Sequence, residues 1–574
     1  MHKFGVWAPR AKTVAVKLGT DLYPLESDER GWWSAKVANA GPGSTYRFVL
    51  DEGDPLPDPR SQFQPEGVNG PSQLVDHSSF AWSDAHWQSR PLSSALIYEV
   101  HIGTFTPAGT YLSTIERLDY LAELGITHVE IMPVAEFPGD AGWGYDGVDL
   151  YAPHHIYGSP DELKTLVNAC HQKGLAVILD VVYNHLGPAG NYLPRFGPYF
   201  TDVYHTPWGS AVNLDHEGSV ETRQFFVDNA RMWLGDYHFD GLRLDAVHAY
   251  FDHSAIHFLE QLTRAVSTLS AHLGRYLFLI AESDLNDPRI VTCLDAGGFG
   301  IDAQWSDDFH HALHTTLTGE TSGYYQDFGS LSQLAKALGR PFVYDGVPSP
   351  HRGRIHGKSV CKLSGHRFLA YAQNHDQVGN RAAGERLSHL TSLGRSKIAA
   401  ALVLTSPYIP MLFQGEEFGA SSPFQYFTHH EDHELAANVS AGRKNEFKAF
   451  GWAPEDVPDP QDRETMDRSK LLWDELSTPP HSDLLAWYKK LIALRRQYSC
   501  LTDGRLDKVD VSFDADASWL AMKRGPIQVV YNLAQSRQRI SIESVAQVLL
   551  CSESDYELAG DAITLPPDSV AILV

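Results

Sequence analysis

The chain has 574 residues, 43% hydrophobic and 20% charged, a globular composition that excludes a disordered chain or a small disulfide-stapled scaffold. Its 46 Lys and Arg against 71 Asp and Glu leave a net charge of −25, which opposes long-range attraction to phosphate backbones or anionic lipid. Neither nucleic acid nor a membrane surface is therefore expected as a partner. The cysteines Cys170, Cys293, Cys361, Cys500 and Cys551 are odd in number and far apart, which argues against a disulfide framework or a thiolate zinc site and fits a reducing cytoplasm. The N-terminus has no basic segment leading into an apolar stretch, and no window approaches about 18 uninterrupted apolar residues, so no signal peptide or membrane span is expected.

From residue 1 to about 90 the pattern is short and strand-like, with Val14 to Leu18, Trp32 to Val37 and Tyr46 to Leu50 separated by turns such as Gly41-Pro42-Gly43. This reads as a β-sandwich, followed from Asp54 to Pro71 by a proline-rich extended segment packed on a neighbour. At Leu96 to Val100 the period changes. Apolar runs at His128 to Val134, Leu175 to Val182, Gly241 to Asp245, Leu277 to Ala281, Phe368 to Ala372 and Pro410 to Phe413 alternate with amphipathic segments. Two of these carry helix-start signals: Ser113-x-x-Glu116, with a stop at Gly125, and Ser159-Pro160-x-Glu162, with a stop at Gly174. Strands alternating with helices over residues 91–500 predict a (β/α)8 TIM barrel. Alternation without helices then returns at Val509 to Phe513, Trp519 to Lys523, Ile527 to Asn532, Arg537 to Ile542, Val545 to Leu550 and Val570 to Val574. Residues 501–574 are accordingly expected to form a C-terminal all-β domain.

Polar residues cluster where four of the apolar runs end, the face of a barrel that holds active sites. These are Asp180 to His185, Arg243-Leu244-Asp245, Glu282, and Asn374-His375-Asp376. A single carboxylate at a strand end is ordinarily a helix cap or an ion-pair partner, and a single histidine a satisfied polar residue. Four clusters on one chain point instead to an active site. Side chains alternate along a strand, so Arg243 and Asp245 point to one side and can touch. The guanidinium would keep Asp245 ionised, while a less solvated Glu282 could hold a proton near neutrality. One ionised and one protonated carboxyl suit glycoside hydrolysis.

In this order the four segments resemble the short motifs of the α-amylase superfamily of glycoside hydrolases. Further stretches resemble the maltooligosyltrehalose trehalohydrolases within it, among them Leu56 to Ser61, Gly144 to His154, Leu244 to Ala249, Ala281 to Asp287, Gln373 to Arg381, Pro423 to Thr428 and Gly442 to Phe447. The resemblance implies that Asp245 is the nucleophile, Glu282 the general acid/base and Asp376 the third carboxylate. His185, Arg243 and His375 then line the subsite just before the cleaved bond, with Tyr145 stacked on its sugar and Trp143 beside it. It also implies a retaining hydrolase that cuts the α-1,4 bond next to the trehalose end of maltooligosyltrehalose, acting with a maltooligosyltrehalose synthase. The N-terminal sandwich would be carbohydrate-binding-like. Asp284, Asn286 and Asp287, after Glu282, and Gln377 and Arg381, after Asp376, are candidates for reading the trehalose end.

Many α-amylases bind calcium through an asparagine matching Asn184 and a histidine four residues after the nucleophile, where this chain has Ala249. No set of six to eight oxygen ligands can be assembled, so neither a metal nor any other cofactor is expected. The alternatives are a glucan branching enzyme, which shares the barrel and carboxylates but transfers the cut chain, and a non-catalytic sugar-binding scaffold, whose mark would be a missing carboxylate.

Overall fold

The computed structural model describes residues 1–360, 362–448, 452–543 and 547–574; Cys361 and the expected strand positions Val545 and Ala546 lie outside the described residues. The four cysteines described are free. Among the described residues no helix is long and apolar enough to cross a membrane.

Eight parallel strands close into a barrel in chain order: β1 Ile97–Val100, β2 His128–Ile131, β3 Ala176–Val181, β4 Gly241–Leu244, β5 Phe278–Ala281, β6 Ala303–Trp305, β7 Phe368–Ala370 and β8 Ile409–Phe413. Every residue in them is buried, the expected state of strands covered on both faces. The sequence analysis found all of these strands but β6, where Gln304 interrupts Ala303 and Trp305 so that no apolar run forms.

Alternation along the strands stacks the interior in rows. The lowest row is apolar and includes Ile97, Ile178, Phe278, Ala303, Leu369 and Ile409. Gly241 belongs to it by absence: a Cβ there would lie 2.3 Å from the Phe278 ring. Two residues further along β1 to β4 come Glu99, Glu130, Asp180 and Arg243, all buried. Two more steps along β4 and β5 reach Asp245 and Glu282, at the barrel mouth.

The helix Pro160–Gln172 starts as its sequence demands, with a capping box between Ser159 and Glu162 and proline in the first turn. The other expected box is displaced. Thr110 caps the helix Tyr111–Ile115 and Ser113 is its third residue, because Ser113 Oγ is drawn to Thr106 Oγ1 at 2.6 Å and closes the box with Thr110. A separate helix, Leu118–Leu124, then ends at Gly125 with φ 103°.

Two antiparallel sheets precede the barrel, one built from His2–Trp7, Trp32–Val37 and Glu26–Ser27, the other from Asp21–Pro24, Val14–Leu18, Thr45–Leu50 and Ser72–Gln73. Their aromatic residues face the barrel. Trp7 packs edge-on against Tyr199 at 5.2 Å, and Trp32 Nε1 donates to Glu221 Oε2 at 3.0 Å. Within the proline-rich segment, Arg60 donates to Tyr151 Oη and Asp228 Oδ2, both at 3.0 Å. Five-stranded and three-stranded antiparallel sheets follow the barrel.

Two buried arginines, Arg495 on the helix His481–Gln497 and Arg524 on the C-terminal sheet, anchor these elements to the barrel. The helix Leu393–Thr405 ends with free carbonyls, as all helices do. Arg495 donates to Leu404 O at 2.8 Å and Ser406 O at 3.0 Å, and Arg524, on strand Trp519–Arg524, donates to Thr405 O at 2.8 Å. Two cations at a helix C-terminus also oppose its dipole favourably. Arg524→Met, similar in length but without donors, is expected to destabilise the protein by roughly 3 kcal/mol, since a buried carbonyl left bare costs about 1–3 kcal/mol. A melting temperature within a degree of wild type would show that the anchor is unimportant.

Candidate active site

Asp245 and Glu282 directly follow β4 and β5, whose register pairs Leu244 with Ala281, so the two carboxylates occupy matching positions on adjacent strands. The fully buried Arg243 organises them. Its Nη1 donates to Asp180 Oδ2 at 2.7 Å and Asp245 Oδ1 at 2.8 Å, Nη2 lies 3.6 Å from Glu282 Oε2, and the guanidinium sits 4.2 Å from the Trp305 ring centre. Asn184 Nδ2 reaches the other Asp245 oxygen at 2.6 Å and its backbone O at 3.0 Å. The pair expected from strand alternation is therefore formed.

Ala246 has φ +42°, a left-handed conformation that is costly for any residue with a Cβ. The turn aims the Ala246 N–H at Glu282 Oε2, 2.6 Å away. Burial, reinforced by the charges of Asp245, Asp307 and Asp376 and opposed by Arg243, holds the Glu282 carboxyl well above the usual range. Burial likewise pushes Asp180 up to about 6 and Asp307, bonded to Tyr371 Oη at 2.5 Å, up to about 7.

Around these groups lies a cavity of about 580 Å³ walled by, among others, Trp143, Tyr145, His185, Trp208, His248, Asp376, Tyr426 and Arg443. Tyr145 Oη donates to Asp180 Oδ2 at 2.6 Å and lies 2.7 Å from His375 Nε2. Trp143 forms a wall: its Nε1 donates to Gln425 O at 2.9 Å and its ring stacks on Phe424. Gly379 is required opposite it, because a Cβ there would come within 2.0 Å of the indole. Asp376, 44% exposed at the side chain, accepts from Asn380 Nδ2 at 3.1 Å.

The residues expected at the trehalose end are not among those walling this cavity. Asn286 spends its amide on Asp308 Oδ2 and Tyr344 O, at 2.9 and 3.0 Å, and Asp287 pairs with Arg289. Asp284 pairs with Arg352 at 2.9 Å, and Arg381 holds Glu320 at 2.7 Å beside a neighbouring hollow. The Gln377 backbone N–H donates to Asn374 Oδ1 at 2.8 Å, fixing the start of a short helix. Sequence reasoning missed Trp208, which is half exposed and stacks on His185 with centroids 4.3 Å apart, and Arg443, which donates to Gly379 O at 2.6 Å. The signal for Trp208 was an aromatic in the Pro207-Trp208-Gly209 turn of a hairpin; Arg443 lay in a stretch already quoted, without a role.

Among the described residues, one group of three His and acidic side chains has donor atoms within 4.8 Å of one another: Glu136, His154 and His155. Nδ1 of both histidines faces Glu136 Oε1, at 3.2 and 2.8 Å, while the buried His154 Nε2 has no hydrogen-bond partner among the described residues. The cluster pins together the ends of the segment that carries Trp143 and Tyr145.

Residues 77–196 match the family model of the α-amylase catalytic domain. Over its whole length the chain is 48% identical to malto-oligosyltrehalose trehalohydrolase of Rhizobium sp. strain M-11, covering 97% of that protein. It is 47% identical to the Mycobacterium tuberculosis enzyme of the same name, again over its whole length and 99% of the relative. The chain belongs to the malto-oligosyltrehalose trehalohydrolase family. A crystal structure of a Salmonella typhimurium protein assigned to the α-amylases superposes with a TM-score of 0.91 at 36% identity, covering 99% of this chain and 97% of that one. A glucan branching enzyme of Pseudoalteromonas atlantica is more distant, 27% identical over 93% of this chain and 72% of its own.

The proton held by Glu282 has a consequence for stability. A carboxyl whose pKa is raised in the folded state contributes stability that is complete below its unfolded value, near 4.5, and is lost as pH rises. Glu282→Gln mimics the protonated form, so its melting temperature should gain on wild type by roughly 2 °C or more between pH 5 and pH 8. Wild type gaining on the variant over that range would mean that Glu282 is ionised in the folded protein.

Proposed function

We propose that this protein is a retaining glycoside hydrolase that cleaves the α-1,4 bond next to the trehalose end of maltooligosyltrehalose. The observation that carries the reading is one buried guanidinium shared by the carboxylates of adjacent strand ends, in a chain aligned end to end with trehalohydrolases. An α-glucan is the substrate class. In the first step the ionised Asp245 attacks the anomeric carbon while Glu282 gives its proton to the departing glycosidic oxygen, releasing trehalose. Water then loses a proton to Glu282 and attacks the same carbon, freeing Asp245 and a shortened maltooligosaccharide of the original α configuration. Asp376 accepts hydrogen bonds from the hydroxyls of the distorted sugar. Tyr145 and His185, which line the cavity, flank that sugar, and the buried Arg243 and His375 stand behind them.

The disaccharide leaves toward the open side of Glu282, where His248 lines the cavity and Asp284 stands beside it, tied to Arg352. His248 is therefore the first polar group offered to trehalose, with Asp284 acting through it. In this reading a synthase producing a non-reducing trehalosyl end supplies the substrate, and a cytoplasmic location beside that enzyme is part of the same proposal. A branching reaction would instead pass the cut chain to another glucan, and no feature of the cavity favours it.

Asp245→Asn and Glu282→Gln each preserve shape, and each should lower turnover about a thousandfold or more without loss of fold. Near-normal turnover in a folded Asp245→Asn protein would remove it as nucleophile. With wild type, initial rates on maltooligosyltrehalose should exceed those on a maltooligosaccharide of equal length by about a hundredfold in kcat/KM, because each buried polar group left unpaired by the wrong disaccharide costs about 1–3 kcal/mol. Proton NMR should show the α anomer first. Equal specificity constants would make this a general α-1,4-glucanase, and new α-1,6 linkages a branching enzyme.

A further inference from the structure

Two buried acids, Glu99 and Glu130, stand directly below the reacting groups with no part in the chemistry above. They are register partners on β1 and β2. Neither Glu130 oxygen has a hydrogen-bond partner among the described residues, and burial, with Glu99 and Asp180 nearby, pushes its carboxyl well above the usual range. Its neutral form is therefore the favoured one. Glu99, by contrast, spends both oxygens on one residue: Oε1 accepts from His375 Nδ1 at 2.5 Å and Oε2 from the His375 backbone N–H at 2.9 Å.

Across the ring, His375 Nε2 lies 2.7 Å from Tyr145 Oη, whose own proton goes to Asp180 Oδ2. Arg243 Nη1 also approaches that hydroxyl, at 3.4 Å. Tyr145 Oη must accept from His375, so both imidazole nitrogens donate and the ring is an imidazolium. The titratable and charged groups facing it are Glu99 from β1, Asp180 from β3, Arg243 from β4, Tyr145 from the loop after β2, His101 after β1, and Asp376 on its own segment. Burial alone would lower the pKa of His375; Glu99, then Asp376, overcome this and leave it raised.

We propose that Glu99 is a positioning residue that holds His375, by ring and backbone together, as a donor to Tyr145 Oη, so that the tyrosine lining the cavity is fixed where the reacting sugar binds. Glu99 touches no substrate. This rests on the functional reading above, since Tyr145 faces the reacting sugar only if Asp245 and Glu282 do the chemistry. A charge-assisted donor is roughly twice as strong as a neutral one, and a ring fixed at two points does not have to be reordered in the transition state.

Glu99→Gln keeps the shape, removes the charge and sets an NH2 or a single acceptor against two His375 donors. With maltooligosyltrehalose, kcat should fall about a hundredfold, as misplacing a binding group by about 1 Å does, while KM stays within about threefold. The alkaline limb of kcat should move to lower pH, because His375 loses its proton sooner. Glu130→Gln, isosteric with an acid already protonated, should leave both unchanged, which separates positioning from a general disturbance of the barrel interior. In a His375→Ala background, Glu99→Gln should change kcat less than about twofold, because its effect passes through His375. An unchanged kcat and pH limb in Glu99→Gln, or the full loss repeated in the His375→Ala background, overturns the proposal. If Glu99→Gln does not fold, Glu99→Asp decides: a lower kcat with the alkaline limb in place supports it, and wild-type kcat overturns it. Should wild type release no trehalose, the functional reading fails by itself, and the same variants are compared on a maltooligosaccharide.

Discussion

The structure depends on a cation buried at the centre of a barrel. Arg243 is fully inaccessible, and a guanidinium is tolerated there only because carboxylates surround it and the Trp305 ring supports its face. Those carboxylates belong to different strands, so satisfying the charge fixes how β3, β4 and β5 are aligned at their ends. Asp180 and Arg243 are register partners, and Asp245 follows two residues later on the same side. The distribution of protons follows. Asp245 keeps contact with Nη1, whereas Glu282, at 3.6 Å from Nη2 and near several other acids, is left to hold a proton. Burial, only partly opposed by the same cation, thus leaves Glu282 well above the usual carboxylate range.

Loops above the barrel are fixed by backbone contacts more than by charge. Trp143 fits only because Gly379 offers no side chain, and the segment bearing Gly379 is held by Arg443 through a carbonyl. The arms on either side of Trp143 and Tyr145 meet at Glu136, where two histidines converge. Tyr145 is thereby brought between Asp180 and His375, linking the β3 and β7 ends across the cavity. The three-strand network Asp180, Tyr145, His375 and Glu99 closes around β1 as well, so a wall of the reaction site rests on hydrogen bonds made inside the barrel.

The sequence made the barrel and its carboxylates legible because both obey local rules. Buried parallel strands are continuous apolar runs, and strand ends present their polar residues in fixed alternation. Strand β6 escaped because Gln304 breaks the run between Ala303 and Trp305, whereas the equally short β7 continues into the apolar Tyr371 and Ala372. The displaced helix start shows a tie broken by tertiary contact: Ser113 and Thr110 both suit a cap, and Thr106 decides between them. The trehalose-end candidates were chosen for nearness in sequence to Glu282 and Asp376, but loop side chains go where partners exist. Asn286 found Asp308 and Arg381 found Glu320. Glu99 and Glu130 did carry a signal, an acid inside an apolar run, since burial of such a group without a partner or a proton is prohibitively costly.

The overall charge and the site chemistry are separate matters in this molecule. A net charge of −25 creates a field that an uncharged oligosaccharide does not feel, so association gains no steering from it and loses none. In the proposed reading recognition comes from contact, and the cavity offers for it the rings of Trp143, Tyr145, Trp208 and Tyr426 and the polar groups of His248, Asn380, Arg443 and Glu446. Charges inside the site act on bonds already within reach, and water is scarce around Arg243, where their effect is strongest. On the proposed function, substrate choice and rate are divided between different residues: the rim discriminates between disaccharides by leaving hydrogen bonds unmade, while the barrel interior sets the proton on Glu282 and, through His375, the position of Tyr145.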